Sequence, residues 1–194
     1  MVPMSSNSAT PLLAPELRQQ LLELAGKSIR QGLSGERLPL RAADYPEPLR
    51  VPRATFVTLN IEDALRGCIG TLEARRTLVE DVAQNAYSAA FQDPRFPALT
   101  WVEFERLHVH ISILSPPELM QFSSEEDLLA QLRPNVDGLI IEEGFYRGTF
   151  LPSVWEQLHK PRDFLRHLKQ KAGMRPDHWS NRITVRRYTT ESVS

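Results

Sequence analysis

Seven consecutive residues, Leu65-Arg66-Gly67-Cys68-Ile69-Gly70-Thr71, hold the chain's one cysteine between two glycines and close to an arginine. The thiolate is the nucleophilic form of cysteine, and a neighbouring guanidinium favours it over the thiol. Strand alternation puts Arg66, Cys68 and Gly70 on one face and Leu65, Gly67 and Ile69 on the other. Cys68 is therefore the catalytic candidate with Arg66 as its charge partner, while Leu65 and Ile69 read as core anchors. Glycine inside a strand gives up about 0.5 to 1 kcal/mol relative to alanine and marks a bulge or a close approach. Gly67, Ile69, Gly70 and Thr71 accordingly read as main chain left open to a ligand or partner. The plainer alternative, a lone cysteine serving as a small buried hydrophobe, stays open beside this one.

A second segment, Asp93-Pro94-Arg95-Phe96-Pro97, sets an acid, a base and an aromatic between two prolines that restrict the backbone. Asp93, Arg95 and Phe96 form either a binding rim or a connector in which Asp93 accepts main-chain hydrogen bonds and Phe96 plugs the core. The five histidines show no spacing that names a general base for Cys68. His108 and His110 share a strand face, but two ligands are half a metal site, so no metal and no cofactor is expected. Glu142 and Glu143 are adjacent on a strand and face opposite ways. From Lys160 to Tyr188 nine basic residues face two acidic ones. A basic face for nucleic acid is one reading of that bias; the solvent side of an amphipathic helix is the other.

The elements that must position these residues follow from periodicity and capping. Pro15 opens a helix with Leu17, Leu21, Leu24, Ala25 and Ile29 on one face and Gly32 as its stop. Four prolines between Ser34 and Pro52 make an irregular connection. Thr55–Leu59 and Leu65–Gly70 form a hairpin, and a capping box of Thr77 with Glu80 starts the next helix. Thr100 with Glu103 caps a short turn, Leu107–Leu114 alternates as a half-buried strand, and Ser123 with Glu126 starts a third helix. A second hairpin, Leu139–Glu142 with Tyr146–Leu151, precedes a helix from Pro161 to Gly173, and Ile183–Tyr188 is the last strand. Hairpins with capped helices between them predict an α+β fold with a mostly antiparallel sheet. The sequence of hairpin then helix occurs twice, at 55–90 and 139–172.

The chain has 194 residues, 41% of them apolar, and a net charge of −1. That length suits one domain at the upper end of the usual range. Neither a polyanion partner nor a membrane surface is indicated by overall charge. One cysteine excludes an internal disulfide framework and implies a reducing compartment. With no signal sequence and no long apolar run, a soluble cytoplasmic protein is expected. Residues 1–13 read as a disordered tail and 14–194 as a single domain.

Leu65 to Thr71, taken with Phe56-Val57-Thr58-Leu59, Asp93-Pro94-Arg95-Phe96-Pro97, Leu114-Ser115-Pro116-Pro117, Val136-Asp137-Gly138-Leu139, Thr149-Phe150-Leu151-Pro152 and Lys171-Ala172-Gly173, closely resembles the AMMECR-domain family. Prokaryotic members are called AmmeMemoRadiSam system protein A. The match runs in order from about residue 15 to 190, with Ala54 standing where the family has glycine. The resemblance implies an α+β domain with a larger and a smaller lobe, the Leu65–Thr71 run as functional surface, and Thr149 among the binding residues. It implies no particular reaction. Its implied companions are a Memo-type protein and a radical S-adenosylmethionine enzyme, which makes an accessory or binding role the leading expectation. The alternatives are a Cys68-dependent enzyme acting on a small or RNA-linked substrate and a nucleic-acid binder using the basic 160–188 face.

Overall fold

The computed structural model of the chain describes residues 13–194. The expected tail lies outside these residues except for Leu13, which is buried and donates its N–H to Glu191 at 3.3 Å. The described chain combines six α-helices with two four-stranded sheets and divides into two compact units. Of the described residues, 13–113 together with Glu191–Ser194 form one unit, and Leu114–Thr190 form the other.

In the larger unit, α1 (Pro15–Leu33) starts with Pro15 in its first turn and buries Leu21, Leu24, Ala25 and Ile29. Gly32 does not stop it. A Cβ there would lie 2.3 Å from the Phe91 ring, so Gly32 admits an aromatic, and the chain leaves the helix at Gly35 with φ +82°. The Pro-rich connection contains the short α2 (Glu47–Arg50). The predicted hairpin is β1 (Thr55–Ile61) with β2 (Ala64–Gly70), joined by a two-residue turn with Glu62 at φ 55°. Thr77 and Glu80 form the expected capping box on α3 (Leu78–Phe91), and Thr100 and Glu103 form one on α4 (Trp101–Phe104). With β3 (Leu107–Leu114) and β8 (Thr190–Val193) the sheet order is β2-β1-β3-β8. Val57, Leu59, Ile111 and Ile113 line the sheet face that meets α1 and α3, where apolar burial drives the packing.

The smaller unit has β4 (Glu118–Leu119), α5 (Glu125–Gln131), β5 (Gly138–Glu143), β6 (Tyr146–Phe150), α6 (Pro161–Lys171) and β7 (Thr184–Tyr188), with sheet order β4-β7-β5-β6. Ser124, one residue beyond the predicted Ser123, caps α5 by accepting the Asp127 N–H. The strand expected to be last, β7, is followed by β8, and the two-residue β4 is too short to carry a periodic signal. The core centres on Trp155, stacked on Phe164 with ring centroids 3.8 Å apart.

The repeated hairpin-and-helix order has a physical counterpart. Gly67 of β2 meets the Ala89 backbone of α3, and Gly148 of β6 meets Ala172 just past α6. In both, the second hairpin strand reads Arg-Gly, and its glycine lets the next helix approach closely.

Candidate functional site

The Cys68 strand lies at the edge of its sheet, and its register with β1 departs from simple alternation. Leu59 faces Gly67 and Asn60 faces Leu65, so Arg66 is the extra residue of a bulge. Two expectations change as a result. Leu65 is 43% exposed and does not anchor the core. Arg66 is buried and does not serve Cys68: its Nε donates to Glu103 Oε1 at 2.7 Å, and its Nη2 donates to Glu103 Oε2 at 3.2 Å and to the Pro97 carbonyl at 2.9 Å. The Arg66 guanidinium is the main reason that the Glu103 carboxyl is held down to about 2, with the Thr100 cap adding to it. Arg66 Nη1 is buried without a partner among the described residues.

The charge near Cys68 comes instead from the Asp93–Pro97 loop. Asp93, 4% exposed, accepts the Cys68 N–H at 2.9 Å. The same carboxylate takes the Arg95 N–H at 3.1 Å, Arg95 Nε at 2.9 Å and Arg95 Nη2 at 2.7 Å. Arg95 Nη2 also reaches the Cys68 carbonyl at 3.4 Å. The Arg95 fork pulls Asp93 far below the usual carboxylate range, and Asp93 in turn raises Arg95. One acid and one base thus satisfy the outward-facing donor and acceptor of Cys68, as a neighbouring strand would. Arg95 remains 54% exposed in its side chain. Its Cζ and that of Arg66 lie 5.5 and 5.7 Å from the Phe96 ring centroid, so the half-buried ring is within cation–π range of both guanidinium groups and does not plug the core.

The glycines do not hold the strand open. A Cβ at Gly67 would fall 2.1 Å from the Ala89 carbonyl oxygen, and one at Gly70 would fall 2.2 Å from the Phe56 ring. Both serve close packing. Ile69 packs, half buried, against the core. Thr71 donates its hydroxyl to Asp81, a carboxylate 1% exposed that also accepts the Thr55 N–H and hydroxyl, Asn85 Nδ2 and Arg76. This hub ties β1, the end of β2 and the start of α3 together, and nothing in the sequence pattern singled it out. Thr149 belongs to the smaller unit, where its hydroxyl donates to the Leu139 carbonyl at 2.8 Å and lies 3.0 Å from the Tyr188 hydroxyl.

On the face opposite the core, Cys68 is half buried with Sγ 3.3 Å from Thr58 Oγ1. Thr58 is in turn paired across β3 with His110, and Asn60 with His108. Cys68, Thr58 and His110 therefore occupy one cross-strand row, a relation that only the strand register exposes. Burial pushes the His110 imidazole below its usual range, toward the neutral form. Among the described residues no three His, Cys, Asp or Glu side chains gather as a metal-ligand set. Five of the nine basic residues of the 160–188 stretch are in ion pairs: Lys169 with Glu125, Arg175 with Asp177, Arg182 with Glu143, Arg186 with Glu142 and Arg187 with Glu118. That face is a lattice of both signs. No described helix is long and apolar enough to cross a membrane.

Comparison with known proteins converges on one group. The AMMECR1 family model matches residues 22–193. Protein MJ0810 of Methanocaldococcus jannaschii is 40% identical over 158 residues, spanning 78% of this chain and 76% of its own length. A protein of Methanothermobacter thermautotrophicus is 37% identical, covering 81% of this chain and 82% of its own. The crystal structure of protein PH0010 from Pyrococcus horikoshii superposes with a TM-score of 0.85 at 34% identity, over 93% of this chain and 92% of that one. Sequence and fold together place the chain in the AMMECR1 family.

Proposed function

We propose that the chain is an accessory domain of the cytoplasm that binds a Memo-type protein and a radical S-adenosylmethionine enzyme, which carry the chemistry. The observation supporting this reading is the commitment of Arg66 to Glu103 and Pro97, which leaves Cys68 without the charge partner its strand seemed to supply. What the loop presents is a half-exposed Arg95 whose charge Asp93 balances and whose plane Asp93 fixes at the strand edge, a pre-oriented hydrogen-bond donor for a polar group of a partner. Co-purification with each companion tests the proposal. Both should be retained at micromolar concentration, and Arg95→Lys, which keeps the charge but loses the fork on Asp93, should weaken retention about tenfold at a temperature well below its own, lowered, melting point. Failure of both companions to bind would overturn it.

A second reading rests on the row of Cys68, Thr58 and His110: a Cys68-dependent enzyme acting on a small or RNA-linked substrate. Neutral His110 would serve as the proton acceptor and Thr58 as the hydroxyl between them. Alkylation of the native thiol against pH decides it. A reactive thiol whose profile changes in His110→Ala supports the reading; a thiol inert up to about pH 9 removes it.

A further inference from the structure

A cavity of about 370 Å³ opens on the helical side of the larger unit, away from Cys68 in sequence and unused by the reading above. Its wall is made by Leu38 and Leu40 of the connection after α1, by Ala83 and Gln84 of α3, and by Arg37, Arg76 and Glu80 at the polar end. The charges in this wall are not equivalent. Arg76 is neutralised by Asp81 at 3.0 Å. Glu80 accepts the Thr77 N–H at 3.0 Å and its hydroxyl at 2.7 Å; these bonds, with Arg76 nearby, hold it below the usual carboxylate range.

Arg37 has no carboxylate partner among the described residues. Its Cζ lies 3.4 Å from the Tyr87 ring centroid, and Nη1 donates to Gln84 Oε1 at 3.2 Å. Stacking on a ring and a bond to an amide fix the plane of the guanidinium without cancelling its charge. The cavity therefore combines one pre-oriented cation that no carboxylate contacts with an apolar wall, while the Glu80 carboxylate in the same wall is turned to the Thr77 cap. Leu38 and Leu40 are half buried and pack on the core, which holds that wall in place. A volume of this size is at the small end of ligand pockets, which commonly run from about 300 to 1,000 Å³.

We infer that this cavity binds a small monoanion with a short aliphatic body, a carboxylate whose charge meets Arg37 and whose chain lies on Leu38, Leu40 and Ala83. A dianion would find only one cation free of a carboxylate contact and would also meet Glu80, and a cationic amphiphile laid on Leu38 and Leu40 would place its charge against Arg37. Hexanoate is the probe, titrated into the whole chain while the methyl resonances of Leu38, Leu40 and Ala83 are followed. Saturable shifts with a Kd on the order of 1 mM are expected, as suits so small a ligand. Hexylammonium should give none. Arg37→Gln should weaken hexanoate about tenfold, and Arg37→Lys, with its charge but not its stacked fork, should fall between. Because Arg37 is exposed, both variants should fold, with the melting temperature lowered only by the loss of the Tyr87 contact. Absence of saturable shifts tenfold above that concentration, equal binding of hexylammonium, or undiminished binding by Arg37→Gln would overturn the assignment.

Discussion

Arg66 shows how a single residue changes meaning between sequence and structure. Its proximity to Cys68 in sequence is real, but the bulge at that point turns it toward Glu103, 37 positions further along the chain. Alternation alone cannot foresee a bulge, which is why the sequence points to Arg66 as the charge beside Cys68 whereas Asp93 and Arg95 are the residues that bond its main chain. The pair yields a prediction. Glu103→Gln leaves a buried guanidinium without its counter-ion, at a cost of about 2 kcal/mol, toward the low side because Glu103 keeps partial contact with water. Glu103 titrates near 2 in the folded chain against an ordinary 4.5, so its stabilisation is present above the ordinary value and is lost as pH falls from there toward 2. Urea midpoints measured against pH should decline across that window in the parent protein, and the decline should be shallower in Glu103→Gln. Equal slopes would remove the pair as a contributor to acid stability.

Among the elements, the two hairpins were legible because alternation and capping both pointed to them, and both Thr-x-x-Glu boxes are present. What was not legible is why their glycines are there. The sequence allows a vacancy for a visitor or a close approach by a helix, and only coordinates separate the two. Packing predicts an ordering. Gly67→Ala drives a methyl into the Ala89 carbonyl at 2.1 Å and should cost about 3 kcal/mol, whereas Gly148→Ala meets Ala172 at 2.9 Å and should cost roughly 1 kcal/mol. Thermal unfolding of the two variants checks the order; the reverse order would mean that α3 yields more easily than its contacts suggest. The edge of β2 supplies a further test. Asp93 and Arg95 occupy the main-chain groups through which another strand would pair. Asp93→Ala should therefore lower stability by about 3 kcal/mol and also increase self-association over the parent at equal concentration, while Asp93→Asn retains an acceptor and should associate less. Sedimentation velocity reads the difference, and identical profiles for all three proteins would deny the edge-guarding role.

At the scale of the molecule, near-neutral overall charge conceals local pairing, and the basic bias of 160–188 is largely balanced by acids from other parts of the chain. The division into two units is hinted at by the hairpin-then-helix order at 55–90 and 139–172 and is implied by the family resemblance. The chain leaves the larger unit after Ile113 and returns for four residues at Glu191, a re-entry too short to register as a pattern. That re-entry is nevertheless secured, since Glu191 accepts Arg18 Nη2 at 2.7 Å. The smaller unit has its own core and its own alkaline limit. Tyr188 is 1% exposed, its ring fills the space beside Gly138, and its hydroxyl donates to the Phe150 carbonyl at 3.1 Å. Burial pushes this phenol up from 10.0 to about 12. A group raised in the folded state stabilises fully below its unfolded value and loses that contribution as pH rises through the folded one. Between pH 10 and 12 the smaller unit should therefore lose about 2 to 3 kcal/mol. Urea midpoints for the smaller unit, followed by circular dichroism along this range, should fall. In Tyr188→Phe, which keeps the ring over Gly138 and leaves Thr149 its bond to Leu139, the fall should be blunted; an unchanged alkaline response would show that another group sets the limit.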